Sequence, residues 1–162
     1  MHRTKSKSNE KTNVMRILDT QKISYQSHCY ADTDAVSGME IVKALNQDPD
    51  RVFKTLVTVG KSGNHYVFMI PAARELNLKK AAECVREKSV RMIKSRDLLP
   101  VTGYIHGGCS PIGMKRKFPT AIHETAARFD TVFFSAGKIG YQVEMSLNDL
   151  RKVMEIRLAD LI

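Results

Sequence analysis

Residues 52–56 (VFKTL) place one lysine inside a run that otherwise favours a buried strand. β-branched and aromatic residues favour strands, and side chains alternate between the two faces of a strand. Alternation puts Lys54 on one face with Val52, Leu56 and Thr58. A lysine with apolar neighbours either extends its amine to solvent or meets an anion in a pocket. Lys54 is therefore a candidate anion-binding residue, although an edge-strand lysine that prevents aggregation gives the same pattern.

A glycine-rich loop is the second candidate: Gly107 and Gly108 are followed by Cys109, Ser110 and Pro111. Glycine allows successive backbone N–H groups to turn inward, and such a nest binds a carbonyl oxygen, a carboxylate or a phosphate. The loop matches neither a Walker A sequence nor the GxGxxG fingerprint. A structural turn is the alternative interpretation.

Cys109 is also a candidate nucleophile, with His106 or His123 as its base. No cysteine-enzyme signature surrounds it, and small loop cysteines are often inert. The three cysteines and five histidines form no CxxC, HxxxH or HExxH spacing, so the sequence predicts neither a disulfide framework nor a metal site. This cysteine usage favours the reducing cytosol.

Two hydroxyl-bearing residues stand at the ends of predicted strands. Ser135 closes an apolar run and is followed by Ala136 and Gly137, which is a good place to present a hydroxyl. The GxSxG elbow of hydrolases is absent, so a serine nucleophile is not predicted. Tyr30 ends an early strand, where its phenol either packs at the edge of the core or contacts a ligand.

The composition favours a globular protein that meets a polyanion. Hydrophobic residues make up 43% and charged residues 27%, which excludes a disordered chain, and the apolar runs are too short for a membrane span or signal peptide. Lys and Arg number 26 against 17 Asp and Glu, a formal charge of +9. Such a charge favours nucleic acid as the partner, although it also simply maintains solubility.

The basic residues form two clusters. Residues 79–96 contain seven basic and two acidic residues, beginning with Lys79 and Lys80, and Lys115, Arg116 and Lys117 form the second cluster. Solvated helix faces carry such charges routinely, so either cluster alone means little. Together they predict that Lys79, Lys80, Lys115, Arg116 and Lys117 bind phosphates.

Periodicity and capping residues predict a single α+β domain. Helices are predicted over residues 9–21, after the capping box of Ser37 and Glu40, and after Asn77, and a C-terminal helix that includes Met154 is predicted after Ser146. Strands are predicted over residues 23–30, 52–59, 65–70, 131–135 and 141–145. Hairpins stand where a doubly wound fold would need crossover helices, which favours a mixed, largely antiparallel sheet, curled or closed into a barrel, with surrounding helices. Residues 1–10 are predicted to be a disordered basic tail, and residues 11–162 the domain.

The motifs together resemble one family of proteins. They are Lys11 with Thr12 and Asn13, and residues 52–57 (VFKTLV), 78–82 (LKKAA), 102–104 (TGY), 107–115 (GGCSPIGMK) and 135–138 (SAGK). The chain is similar to the YbaK/EbsC family of aminoacyl-tRNA deacylases, which are stand-alone relatives of the editing domain of bacterial prolyl-tRNA synthetases. The resemblance covers the chain from about Lys11 to the C-terminus.

This resemblance implies a cytoplasmic enzyme without metal or cofactor. It implies cleavage of the ester that joins cysteine to tRNA specific for proline, and prolyl-tRNA synthetase as a partner. Relatives that clear alanine from this tRNA typically carry asparagine after the lysine, so Thr55 indicates the cysteine-clearing branch. Three alternatives stay open: a deacylase for another aminoacyl-tRNA such as alanyl-tRNA for proline, a non-catalytic tRNA-binding module, and a hydrolase that uses Cys109.

The resemblance also assigns roles to the candidate residues. Lys54 holds the terminal adenosine or its phosphate, and the N–H groups of Gly107 and Gly108 stabilise an oxyanion while the substrate thiol attacks its own ester. The remaining pocket residues that the resemblance implies are Tyr30, Thr55, Cys109, Ser110, Pro111, Ser135 and Gly137. The sequence departs from the best-known members at Gln142, where they carry an acidic residue, and in a shorter stretch between Tyr30 and Lys54.

Overall fold

The structure, a computed structural model, describes residues 10–162. Five α-helices are present in this range: α1 Asn13–Thr20, α2 Gly38–Leu45, α3 Leu78–Val85, α4 Ser95–Thr102 and α5 Leu147–Val153. Eight strands accompany them: β1 Gln26–Cys29, β2 Phe53–Gly60, β3 His65–Pro71, β4 Val90–Met92, β5 Thr120–His123, β6 Val132–Ser135, β7 Tyr141–Met145 and β8 Arg157–Ala159. Short 3₁₀ helices cover Pro49–Arg51 and Glu124–Arg128. The α+β prediction is confirmed.

The strands form two sheets. The smaller has the order β1-β7-β6 and the larger β4-β2-β3-β5-β8. The β3–β5 and β5–β8 pairs are parallel, and the other pairs are antiparallel. The barrel alternative is wrong: within the described residues, strand pairing between the two sheets is limited to an isolated parallel bridge between Val52 and Phe133, so hydrogen bonding does not continue around a closed ring.

Side-chain caps fix where the predicted helices begin. Thr12, Ser37, Asn77 and Ser146 each accept a hydrogen bond from a backbone N–H of the first turn, and Ser37 and Glu40 form the predicted capping box. The first helix begins at Asn13. The helix was predicted over residues 9–21, and residue 9 lies outside the described residues. So does the predicted basic tail, except for Glu10, which accepts hydrogen bonds from Lys138 and Tyr141.

Four elements are absent from the sequence prediction: β4, α4, β5 and β8. The helix α4 contains Pro100, a residue that usually ends helices, and it lacks a side-chain N-cap. The C-terminal helix was expected to include Met154 and to be the last element, but α5 ends at Val153 and β8 follows. The parallel strands β5 and β8 have only three or four residues, too few for a periodic pattern.

Three buried clusters bear on the site. The largest joins the two sheets, with Phe53 and Met69 from one and Phe134 and Val143 from the other. On the opposite face of the larger sheet, Phe68 and Ile70 pack against Ala81 of α3. A small cluster of Val57, Val67, Leu98 and Cys109 anchors the glycine loop. Within residues 10–162, no helix is both long enough and apolar enough to cross a membrane.

Candidate active site

The candidate site lies where β2 is open along one edge. On its other edge β2 pairs with β3 from Phe53 to Val59. On the open edge β4 pairs only with Thr58, Val59 and Gly60, and β6 reaches only Val52. Within the described residues, the backbone of residues 54–56 therefore has no strand partner on this side. We call this opening between the two sheets the β2 gap.

Lys54 lies at the β2 gap, opposite Ile70 of β3. Its side chain is half-buried, and burial lowers the pKa of the ammonium, while the negative charge of Glu75 partly opposes that shift. No salt bridge in residues 10–162 involves Lys54. Because the ammonium is partly dehydrated and lacks a fixed carboxylate partner, it is free to bind an anionic ligand.

Thr55 follows Lys54 and, by strand alternation, projects from the opposite face of β2. Its register partner is Met69, a residue of the largest cluster. The Thr55 hydroxyl oxygen is buried, and no group of the described residues hydrogen-bonds to it. A buried hydroxyl without a partner costs roughly 1–3 kcal/mol, so such a group is a natural contact for a bound ligand.

The glycine loop at residues 107–111 packs against the turn between β6 and β7. Gly107 has a φ of 88°, and a Cβ there would lie 2.8 Å from Cγ1 of Val36. A Cβ on Gly108 would lie 3.1 Å from the backbone nitrogen of Ile139. Gly107 therefore requires glycine for both close approach and backbone conformation, whereas a side chain at Gly108 would have to displace the backbone of Ile139 by a few tenths of an ångström.

The hydrogen bonds of this loop limit which amides can act on a ligand. The Gly108 N–H donates to the Ile105 carbonyl oxygen at 3.0 Å. The N–H groups of Gly107, Cys109 and Ser110 make no hydrogen bond within residues 10–162. Ser110 and Pro111 are buried, and the Ser110 hydroxyl accepts from the Ile112 N–H at 3.3 Å, so these two residues shape the loop from behind.

The end of β6 completes the opposite wall of the gap. The Ser135 hydroxyl accepts from the Gly137 N–H at 3.1 Å. β6 runs parallel to β2 at the Val52–Phe133 bridge, and Ser135 and Lys54 each follow that bridge by two residues. Tyr30 is buried beside the same turn, its N–H donating to the Gly140 carbonyl at 2.8 Å, and burial raises the pKa of its phenol.

The predicted phosphate-binding residues do not all belong to this site. Lys79 and Lys80 lie on α3, which packs on the face of the larger sheet opposite the glycine loop. The Lys80 ammonium is engaged by the Asp160 carboxylate at 2.8 Å and the Ile162 carbonyl at 2.6 Å. The second cluster, residues 115–117, lies beside the β2–β3 hairpin loop.

Sequence reasoning missed two features of the site. The first feature is a pair of exposed apolar side chains, Val36 (40% exposed) and Ile139 (37% exposed), which flank Gly107. The sequence signal for Val36 was a single valine within a polar turn. Gln142 opposes Ser135 across β6 and β7 and exchanges two hydrogen bonds with Gln47, at 2.6 and 3.0 Å. No local pattern predicts that long-range pair.

Cys109 is not placed as a nucleophile. It is buried against Val57 and Val67, and burial raises the pKa of its thiol to about 12, which keeps the thiol protonated at neutral pH. His123 Nδ1 accepts the Leu161 N–H at 3.1 Å, and His106 is exposed. Within residues 10–162, no hydrogen bond joins Cys109 to a histidine, and no group of three or more His, Cys, Asp or Glu residues could hold a metal ion.

Comparison of the sequence with known proteins finds two similarities. The family profile described as an aminoacyl-tRNA editing domain matches residues 33–153. The chain is also 43% identical, over 143 residues, to EbsC of Enterococcus faecalis, a protein named as a candidate Cys-tRNA(Pro)/Cys-tRNA(Cys) deacylase; the match covers 88% of this chain and 87% of the relative.

Comparison of the structures finds the same fold in solved proteins. A candidate trans-editing enzyme for prolyl-tRNA synthetase superposes with a TM-score of 0.78 at 22% identity, covering 94% of this chain and 98% of the other. A hypothetical protein superposes with a TM-score of 0.84 at 19% identity, covering 93% and 99%. At these identities the superpositions establish the fold alone.

Proposed function

Because the chain belongs to the aminoacyl-tRNA editing domain family, we propose that it is a deacylase that removes cysteine from mischarged tRNA. The observation that carries this proposal is the unpaired edge of β2, where Lys54 is half-buried without a salt-bridge partner and the next residue, Thr55, carries an unsatisfied hydroxyl on the other face of the strand. The name of the relative at 43% identity supports cysteine as the amino acid. In this proposal the tRNA is specific for proline, prolyl-tRNA synthetase is the partner, and the compartment is the cytoplasm.

The bound tRNA end is anionic, and Lys54 provides the matching charge. Its ammonium holds the terminal adenosine through a phosphate or ribose oxygen and so fixes the ester within the β2 gap. Holding reacting groups in an attack geometry supplies a large part of the rate of such intramolecular reactions. A ligand that lies along the unpaired edge of β2 can reach both faces of the strand, so Thr55, with its unpartnered hydroxyl, and Ser135 at the end of β6 position the aminoacyl group.

The reaction that fits this site needs no protein nucleophile. The thiol sulfur of the bound cysteine attacks its own ester carbonyl, so a carbon–sulfur bond forms and the carbon–oxygen ester bond breaks. The ribose oxygen leaves with the thiol proton, giving a cyclic thiolactone and free tRNA. Amides of Gly107, Cys109 and Ser110 are the donors available to the oxyanion, because the Gly108 N–H is already bonded within the loop.

A deacylation panel tests the proposed function. Purified protein is mixed with cysteinyl-, alanyl- and prolyl-tRNA for proline and with cysteinyl-tRNA for cysteine, and loss of the labelled amino acid is followed. We expect the cysteinyl ester to be cleaved fastest. Faster cleavage of the alanyl ester would contradict the cysteine assignment, and tRNA binding without cleavage of any ester would contradict an enzymatic function.

Replacing Cys109 by serine is expected to leave most of the deacylase activity. The side chain is buried and its thiol protonated, and the substitution keeps the size and backbone of the loop. The measurement is kcat/KM on cysteinyl-tRNA, with circular dichroism as the check on folding. Loss of nearly all turnover in a folded Cys109→Ser protein would indicate a protein nucleophile and contradict the thiol-assisted mechanism.

A further inference from the structure

A groove of about 500 Å³ lies apart from the β2 gap, between the β2–β3 hairpin loop and the segment that follows the glycine loop. Its lining includes Asn64, His65, Tyr66, Lys115, Arg116 and Phe118. This volume falls within the range of pockets that hold small organic ligands. We call it the hairpin groove.

Aromatic rings form one wall of the hairpin groove. Phe118 and His65 meet nearly edge to face, with ring centroids 5.7 Å apart. The Arg116 guanidinium lies 5.7 Å from the centre of the Phe118 ring. Phe118 is half-buried and packs against the small cluster of Val57 and Val67, so its ring is held in place before any ligand arrives.

The charge of the groove is positive and not neutralised. Lys115, Arg116 and Lys117 all border it, no aspartate or glutamate of the described residues lines it, and the Glu87 carboxylate touches it only by accepting the Tyr66 hydroxyl at 2.6 Å. None of these three cations forms a salt bridge within residues 10–162, in contrast to Lys80 and Lys138. Among the described residues, the one polar contact of the Lys115 ammonium is a long one, 3.4 Å to the Pro100 carbonyl oxygen.

We propose that the hairpin groove binds an unpaired nucleotide of RNA, with the base stacked on Phe118 and its phosphate held by Arg116 and Lys117. Aromatic rings together with cations are the usual means of binding single-stranded nucleic acid, and in this proposal the Arg116 guanidinium moves from the Phe118 ring to the phosphate when the base stacks there. An acidic peptide would match the charge but would leave the Phe118 face unused. The observations therefore favour RNA as the occupant.

The position of the groove identifies which part of an RNA it takes, and this step rests on the proposed function. Phe118 and Cys109 pack against the same small cluster, so groove and glycine loop share one face of the larger sheet. Val59 of β2 is the register partner of His65, a residue that lines the groove. From Thr55 in the β2 gap to Val59, the strand advances four residues, so the two sites are about 13 Å apart along β2. A strand of RNA with its last ester in the β2 gap thus places a nucleotide a few positions upstream in the hairpin groove.

The test measures binding of a short single-stranded RNA ending in CCA, which carries no amino acid. Fluorescence titrations compare the wild-type protein with Phe118→Leu, Phe118→Tyr and Arg116→Gln. We expect Phe118→Leu to weaken binding about tenfold, the effect of losing one base–aromatic stack, and Phe118→Tyr to keep the affinity. Arg116→Gln should reduce the slope of log affinity against log salt by about 0.7, the value for one phosphate on a single strand.

Matched controls separate these effects from general ones. Arg128 is an exposed arginine in a 3₁₀ helix outside the groove, and Arg128→Gln should leave affinity and salt slope unchanged. Thermal unfolding checks that Phe118→Leu is folded. If it is not, Arg116→Gln decides, because that side chain is exposed: an unchanged salt slope overturns the proposal.

Two further outcomes would overturn the inference. One is an RNA affinity that does not change in folded Phe118→Leu; the other is a poly-glutamate peptide that binds as tightly as the RNA with the same dependence on Phe118. Because the RNA carries no ester, these results are independent of the deacylation panel. Groove binding without deacylation would overturn the proposed function alone, and deacylation without Phe118-dependent binding would overturn the groove alone.

Discussion

Replacing Lys54 by alanine is expected to lower deacylation of cysteinyl-tRNA by at least about a hundredfold, the scale of losing one positioning or charge-stabilising contact. The ammonium is half-buried at the β2 gap and has no salt-bridge partner among the described residues, so the substrate is its natural counter-charge. The fold should survive, because the side chain makes no ion pair that the substitution would break.

Kinetics of three variants check this prediction. Lys54→Arg should restore only part of the activity, because a planar guanidinium does not fit where a compact ammonium does. Lys43→Ala removes an exposed lysine on α2 and should behave as the wild type. Activity within a few-fold of wild type in a folded Lys54→Ala protein would show that the anion is held elsewhere.

Blocking the thiol of the bound amino acid is expected to abolish cleavage. In the proposed mechanism this sulfur is the attacking atom, so S-alkylated cysteinyl-tRNA lacks the nucleophile altogether. Seryl-tRNA for proline carries a hydroxyl in place of the thiol and should react far more slowly, because a neutral hydroxyl is the poorer nucleophile. Single-turnover rates on the three esters, at saturating enzyme, provide the measurement.

Competition experiments show whether the altered esters still bind. The alkylated ester should inhibit cleavage of unmodified cysteinyl-tRNA, since the tRNA part is unchanged. If the alkylated ester were instead cleaved at the full rate, water or a side chain would have to be the attacking group. The thiolactone step would then be excluded, while the role of Lys54 in holding the tRNA end would stand.

Local patterns predicted the elements that begin with a side-chain cap or a tight turn. The box of Ser37 and Glu40, the caps at Asn77 and Ser146, and the hairpin of β2 and β3 depend on residues a few positions apart. By contrast, β5 and β8 lie in the sheet because β5 pairs in parallel with β3 and β8 pairs in parallel with β5, and these partners are distant in sequence. Such partners leave no short-range periodicity in strands of three or four residues.

The same division applies to the site. Lys54 was identifiable because a charge inside an apolar strand is locally unusual, and the glycine loop because its composition is unusual. The sequence could not predict the hydrogen bonds within the loop, in which the Gly108 N–H already donates to the Ile105 carbonyl oxygen. It also could not predict that the Gly107 backbone would lie between Val36 and Ile139, since that contact joins three distant segments.

The β2 gap has a thermodynamic consequence. The two sheets share a hydrophobic core. In residues 10–162, however, the Val52–Phe133 bridge is the one place where the backbones of the two sheets pair. A ligand in the gap contacts both sheets, so it binds the folded chain and not the unfolded one. By linkage, a ligand at one hundred times its Kd raises the unfolding free energy by about 2.7 kcal/mol, so the melting temperature itself reports occupancy of the site.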